Sequence, residues 1–269
     1  MKKDRLDSLL AEKGIFPSRE RAKTAIMAGI VIVNGERIDK AGTKVDIDAD
    51  IKVIGNDLRY VSRGGLKLEK AIEEFGLGLR GLTVLDIGAS TGGFTDCSLQ
   101  HGAVKVYAVD VGYGQLDWKL RQDQRVIVLE RTNARYLTSA HIPEQVDLIT
   151  IDASFISLDK IIPVVKQFLR EEGNILALIK PQFEAGREKV GKKGVVRDPK
   201  THQEVILHVI REAEKNLLHC WDLTYSPITG PEGNIEYLIL LKLFPPEQEF
   251  EFSCVEKTVA EAFITLKRK

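Results

Sequence analysis

The chain has 269 residues, 43% apolar and 29% charged, and its 39 Lys and Arg balance its 39 Asp and Glu. With 22 Gly, 9 Pro and 3 Cys it is neither collagen-like, disulfide-framed nor wholly disordered, and zero net charge speaks against a histone-like binder. The length suits one large domain plus a small one, and no stretch approaches the roughly 20 apolar residues of a membrane span.

The polar opening Met1-Lys2-Lys3-Asp4-Arg5 has no apolar signal region behind it, so a cytoplasmic protein is expected. Leu6, Leu9 and Leu10 predict a short helix that stops at Gly14. Ser18, just after Pro17, is the expected cap of a second helix running to about Ala28, with Ala22, Ala25 and Ile26 inward and Arg19 and Lys23 on another face. Val31 and Val33 alternate up to Asn34-Gly35, a hairpin signal, and short strands are expected around Val45–Ile47 and Ile51–Val53. Two helices and a small sheet thus fill residues 1–59. A basic, Gly-containing linker spans 60–66, continuing the run Arg59-Tyr60-Val61-Ser62-Arg63-Gly64-Gly65.

From residue 67 to 269 the pattern alternates between strands and helices, which predicts an α/β domain with a mostly parallel sheet. Strands are expected at Leu82–Ile87, Val104–Val109, Val126–Leu129, Leu148–Ile151 and Ile175–Ile179. A helix is expected at about 200–216, and late strands near Trp221–Leu223 and Ile235–Leu243 would form an antiparallel edge. Cys97, Cys220 and Cys254 lack the paired spacing of a zinc site, and no metal is assigned.

The segment Asp86-Ile87-Gly88-Ala89-Ser90-Thr91-Gly92-Gly93-Phe94 sits where the first strand of this domain turns into a helix, and its glycines permit close approach of a ligand. Asp110, 24 residues past Asp86 at the next strand's end, suits the two hydroxyls of a ribose. The spacing is not that of a dinucleotide fingerprint, and no phosphate-binding Lys-Ser/Thr follows. An acidic start suits a positively charged cofactor without phosphates, such as S-adenosylmethionine; packing glycines are the plain alternative. Asn133 is a candidate for the adenine, with capping as its other reading. Asp152 and Lys180 end strands, where open parallel sheets hold their ligands. Lys67 follows the linker, and Glu236 lies in a largely apolar strand context. Each alone reads equally well as part of a surface ion pair.

The stretches SRGGLKLEKA, DIGASTGGFTDC, IDASFISL, LIKPQFEAG and GNIEYL resemble the TlyA-type ribosomal RNA 2′-O-methyltransferases, which also carry the older label haemolysin. The resemblance spans essentially the whole chain. It implies a small α+β RNA-binding domain of the S4 type followed by a Rossmann-like methyltransferase domain of the FtsJ/RrmJ class. It also implies S-adenosylmethionine as cofactor, and a Lys-Asp-Lys-Glu tetrad on Lys67, Asp152, Lys180 and Glu236. The implied substrate is a cytidine 2′-OH in ribosomal RNA or ribosomal subunits, large-subunit RNA ahead of both subunits because the terminal regions look short.

For in-line transfer from a sulfonium methyl to a ribose oxygen, Lys180 is expected at the 2′-OH, as base if neutral. Asp152 would orient it, Lys67 would steady negative charge on oxygen, and Glu236 would hold the lysines and the ribose. Two adjacent lysines lower each other's pKa while two carboxylates favour the charged forms, so the sequence leaves the base role open. Phosphate contacts are expected from Arg5, Arg19, Arg21, Lys23, Arg59 and Arg63, and from Lys189, Lys192 and Lys193 in a loop over 187–197 expected to be mobile and to close over RNA. Two other classes stay open. A non-catalytic assembly factor would keep the basic patches without needing the cofactor. A membrane-lysing protein would need an apolar span, whereas Val255, Val259 and Phe263 form only a short stripe, expected to pack on the protein. Monomer and homodimer are both compatible with the sequence.

Overall fold

The computed structural model describes residues 3–16, 18–27, 29–53, 59–248 and 250–266, so Met1, Lys2, Pro17 and Ala28 of the readings above lie outside the described residues. The chain divides into two units, residues 1–63 and 64–269.

The first unit runs β1 (Lys3–Arg5), α1 (Leu6–Glu12), α2 (Arg19–Met27), β2 (Val31–Val33), β3 (Glu36–Ile38), β4 (Lys44–Asp46) and β5 (Ile51–Val53). Leu6, Leu9 and Leu10 of α1 and Ala22, Ala25 and Ile26 of α2 are buried together with Val31 and Val33 in one small core. Ser18 Oγ accepts the Arg21 N–H, capping α2. At the hairpin, Asn34 and Gly35 both have positive φ (52° and 85°), as the tight turn between right-twisted strands requires. The strands form two sheets, not one: β1 pairs with β4, and β3-β2-β5 form the other.

The second unit runs α3 (Gly64–Glu74), β6 (Thr83–Ile87), α4 (Gly93–Gln100), β7 (Lys105–Val109), α5 (Trp118–Arg121), β8 (Val126–Leu129), β9 (Val146–Ile151), α6 (Ile162–Val165), β10 (Leu169–Ile179), α7 (Pro181–Glu184), α8 (Pro199–Lys215), β11 (His219–Tyr225), β12 (Tyr237–Lys242) and α9 (Ser253–Leu266). Residues 64–66, read from sequence as the end of the linker, form the first turn of α3.

Seven strands make one sheet in the order β11-β12-β10-β9-β6-β7-β8. The five strands β10 to β8 of that order are parallel. β12 runs antiparallel to both β10 and β11, which makes the antiparallel edge. Every residue of β6 is buried, as expected for a central parallel strand. Asp198 caps α8 by accepting N–H bonds from Lys200 and Thr201, Pro199 takes the first helical position, and Val205, Ile206, Val209, Ile210 and Ala213 bury one face. The C-terminal stripe packs inward: Val255 and Val259 are buried, and Phe263 meets the His202 ring edge-on at 5.0 Å. Among the described residues no helix is long and apolar enough to cross a membrane.

Candidate active site

From β6 the chain steps to β7 on one side, while β9 pairs with β6 on the other. Such a reversal of strand order opens a crevice at the carboxyl ends of the strands. The turn after β6 enters it. Gly88 (φ 84°) donates its N–H to the Val109 carbonyl, and a Cβ there would lie 2.6 Å from the Asp152 carbonyl oxygen. Gly92 (φ 94°) begins α4 against Leu116 and Leu120. Gly88 thus lets the turn come against the backbone of Asp152, whereas a Cβ at Gly92 would meet only the Leu116 and Leu120 side chains.

The residues singled out in and near this turn divide by orientation. Ser90 is exposed, Gly88 and Thr91 are half-buried, and Ala89, Gly92, Gly93 and Phe94 are buried, so Phe94 is a core side chain. Asp110 is half-buried, accepting the Ser90 N–H at 2.8 Å on one oxygen and the Gly112 N–H at 2.6 Å on the other. Asp86 is fully buried beneath the turn, where its oxygens accept the Thr95 hydroxyl at 2.6 Å and the Thr150 hydroxyl at 2.9 Å. Burial pushes its carboxyl up to about 6, against those two bonds. Asn133 caps the turn Ala134–Tyr136, its side-chain oxygen accepting the Arg135 N–H.

This cradle fits a cationic nucleoside cofactor better than a phosphate-bearing one. Its tight backbone needs glycine, and Asp86, Asp110 and Asp152 gather around it.

Beside it, four ionisable side chains meet. Asp152 follows β9 and Lys180 follows β10. Because Ile179 pairs with Tyr237 in the antiparallel ladder, Glu236, one residue before β12, lies across from Lys180. Lys67 comes from α3. Lys180 Nζ lies 2.5 Å from Asp152 Oδ1, and the other oxygen of Asp152 lies 3.8 Å from Lys67 Nζ. Lys67 in turn donates to Glu236 Oε2 at 2.7 Å. The result is a chain in which amines and carboxyls alternate, Lys180–Asp152–Lys67–Glu236. Lys67, Lys180 and Glu236 are buried, at 8%, 7% and 1% exposure, whereas Asp152 keeps an opening to solvent. Burial would raise the Asp152 carboxyl, but attraction to Lys67 and Lys180 outweighs it and holds the group below its ordinary range.

Two partners of this chain escaped the sequence reading. Ser154 Oγ accepts from Lys180 Nζ at 2.9 Å, and Gln182 Nε2 donates to Glu236 Oε1 at 3.3 Å. Each lies two residues after a tetrad member, at the same strand ends. Gly230 leaves room for Glu236, since a Cβ there would lie 2.8 Å from Oε1.

The expected phosphate contacts do not share one surrounding. Arg5, Arg19, Arg21, Lys23 and Arg59 are exposed and Arg63 is half-buried. Arg5 and Arg19 both bind the buried Asp7, at 2.8 and 3.1 Å. Arg59 lies 5.6 Å from the Tyr60 ring centroid. Lys189, Lys192 and Lys193 are exposed, but Lys189 is paired with Glu204 at 2.5 Å.

In the loop at 187–197, expected to be mobile and to close over RNA, the carboxyl end is tied to the strand and helix beside it. Buried Asn234 accepts the Val196 N–H and donates to the Gly194 carbonyl, and His202 Nε2 donates to the Val196 carbonyl at 3.0 Å. Cys97 and Cys220 are buried and Cys254 is exposed, and among the described residues no cluster of His, Cys, Asp and Glu is placed to hold a metal.

Residues 60–243 match the FtsJ-like methyltransferase family, and residues 4–51 match the S4 domain. YqxC of Bacillus subtilis, named as a candidate rRNA methyltransferase, is 54% identical over 100% of this chain and 97% of its own. TlyA of Mycobacterium tuberculosis, a 16S/23S rRNA (cytidine-2′-O)-methyltransferase, is 44% identical over 88% of this chain and 89% of its own. A hemolysin-named structure from Streptococcus thermophilus superposes with a TM-score of 0.79 at 46% identity, covering 100% of this chain and 98% of that one.

Proposed function

The chain belongs to the FtsJ-like methyltransferase family, and on that footing we propose that it methylates a cytidine ribose 2′-OH in ribosomal RNA. The cofactor is S-adenosylmethionine, and large-subunit RNA is the first substrate to test. The alternating Lys180–Asp152–Lys67–Glu236 chain beside the glycine turn carries this reading.

The residues of 88–93 would hold the cofactor by backbone, Asp110 its ribose hydroxyls, and Asn133 the edge of its base. When bound, S-adenosylmethionine supplies a methyl group on a positively charged sulfur. Lys180 takes the proton of the 2′-OH. Asp152 keeps Lys180 oriented, while Lys67 steadies the negative charge that grows on the ribose oxygen. Glu236 fixes Lys67, and Gln182 fixes Glu236. Burial of both lysines and Glu236 keeps these interactions out of bulk water, where they would be weaker.

The S4-like unit would bring the basic residues Arg5, Arg19, Arg21 and Lys23 to RNA phosphates, which position without reading sequence. An enzyme of this substrate class works in the cytoplasm.

The test is transfer of labelled methyl from S-adenosylmethionine to ribosomal subunits that lack the modification, with the labelled nucleotide mapped. Label is expected on a cytidine 2′-O of large-subunit RNA, and Asp152→Ala is expected to abolish it. Tight RNA binding without label on either subunit would replace this reading with that of an assembly factor.

A further inference from the structure

Ser154 has no place in the tetrad, yet it is the second oxygen on Lys180. Its Oγ lies 2.9 Å from Nζ, and Asp152 Oδ1 lies 2.5 Å from it. The two oxygens come from residues 152 and 154, on the same short stretch after β9, and the ring of Phe183 lies 5.9 Å from Nζ.

The stretch is held by the turn that follows Lys180. Glu184 accepts the Ser157 hydroxyl at 2.6 Å on one oxygen and the Leu158 N–H at 2.9 Å on the other. Phe183 packs on Phe155 with ring centroids 5.0 Å apart. Phe155 stands at φ 63°, uncommon for a bulky residue, with 90% of its surface exposed and the Phe183 ring as its aromatic neighbour. Residues three and four after Lys180 therefore hold residues one, three and four after Ser154. Lys180 and the serine hydroxyl are fixed in register by one clamp.

To act as base, Lys180 must first give up the proton of its ammonium form; the neutral amine then has two N–H bonds and one lone pair in a tetrahedral array. Asp152 is an acceptor only, and Ser154 Oγ accepts here as well. With both N–H bonds so engaged, one direction remains for the lone pair. We propose that Ser154 is a positioning residue for methyl transfer: its hydroxyl takes one N–H of Lys180 and thereby turns the amine's lone pair toward the ribose hydroxyl. The inference rests on the methyltransferase reading above.

In the step itself the ribose O–H bond breaks and its proton joins the Lys180 lone pair. The electron pair left on oxygen forms the new bond to the methyl carbon, the sulfur keeps the electrons of the broken S–C bond, and the lysine ammonium later gives its proton to water. Without the serine, one N–H is free to swing and the lone pair is no longer held in a single direction.

The experiment compares wild type, Ser154→Ala, Ser154→Thr and Lys180→Ala in methyl transfer to unmodified subunits, with cofactor binding measured by calorimetry. Ser154→Ala is expected to lose about 10- to 100-fold in kcat while KM for RNA and cofactor affinity stay within about twofold, the pattern of impaired orientation rather than impaired binding. Ser154→Thr, which keeps the hydroxyl, is expected to recover the rate. A kcat for Ser154→Ala within about twofold of wild type overturns the inference. So does a loss that threonine fails to rescue while melting temperature and cofactor affinity match wild type. If Lys180→Ala is as active as wild type, or wild type transfers no methyl, the tetrad reading itself fails and this inference goes with it.

Discussion

Asp86 contributes to the site from beneath it, and its surroundings set a pH signature. Burial holds its carboxyl at about 6, above the ordinary carboxylate, with Thr95 and Thr150 opposing the shift and Asp152 and Asp110 adding to it. A raised folded-state pKa means that the stabilising contribution is complete below about pH 3.9, the unfolded value, and is lost as pH climbs through about 6. By pH 7.5 the charged group costs on the order of 3 kcal/mol relative to acid. Asp86→Asn removes that cost, and its amide can still pair with both threonine hydroxyls. In thermal melts of the cofactor-free protein, Tm of the variant minus that of wild type is expected to grow by several degrees between about pH 4.5 and 7.5. A difference that stays flat would show that Asp86 does not titrate in this window. The sequence marks Asp86 as an acid near a cofactor but not as a fully buried one, because Thr150 lies 64 positions away and only strand pairing brings it close. The same limit hides Ser154 and Gln182, whose partners stand 26 and 54 positions off. The tetrad is legible because its members stand in recognisable motifs. Local sequence cannot tell that they form an alternating chain.

Between elements, the contact that joins the cofactor turn to the tetrad is backbone on backbone. A methyl group on Gly88 would stand 2.6 Å from the Asp152 carbonyl oxygen and 2.9 Å from its carbon, atoms that cannot swing aside as a side chain can. Gly88→Ala would also force a left-handed conformation worth roughly 1–2 kcal/mol on a residue with a Cβ. The displaced end of β9 carries Asp152, so the variant is expected to lose kcat by more than about tenfold even at saturating cofactor, besides weakening cofactor binding. Gly76→Ala, with the same backbone sign and nothing within 4 Å of its Cβ, is the control, expected to lower stability alone. Equal kcat in the two variants would dissociate the turn from the tetrad. The strands flanking this contact are legible because β6, β7, β9 and the end of β10 are apolar runs bounded by polar residues. Two elements are not. β1 is Lys-Asp-Arg, which carries no apolar alternation and is a strand only through its pairing with β4. α3 opens on Gly64-Gly65, poor helix formers, and exists because Leu68, Ala71 and Ile72 bury its inner face.

For the whole chain, a net charge of zero leaves RNA affinity to depend on which basic residues keep their charge uncompensated. Asp7 neutralises one of the two guanidiniums it holds, and hydrogen bonds from Arg5, working against its burial and helped by Arg19, keep its carboxyl well below the usual range. Glu204 does the same for Lys189. Lys192 and Lys193, exposed in a loop whose carboxyl end is fixed by Asn234 and His202, present their charges from a defined place. The sequence shows six basic and two acidic residues over 186–200, a pattern that reads as a closing lid. It cannot show that Asn234 holds Val196 from 38 positions away. A basic binding surface and a lid differ in what they change. Neutralising Lys192 and Lys193 together is expected to weaken binding to ribosomal RNA and to flatten the dependence of log affinity on log salt by about 2, one unit for each phosphate no longer neutralised. At saturating RNA, kcat is expected to hold, as for a surface that contributes to binding alone. Lys189→Ala is expected to change the salt dependence less, since its charge is already answered by Glu204. Filter binding across a salt series and single-turnover rates on the same variants separate the two. A kcat that falls while affinity and salt slope stay at wild type would restore the lid and remove the loop from the RNA-binding surface.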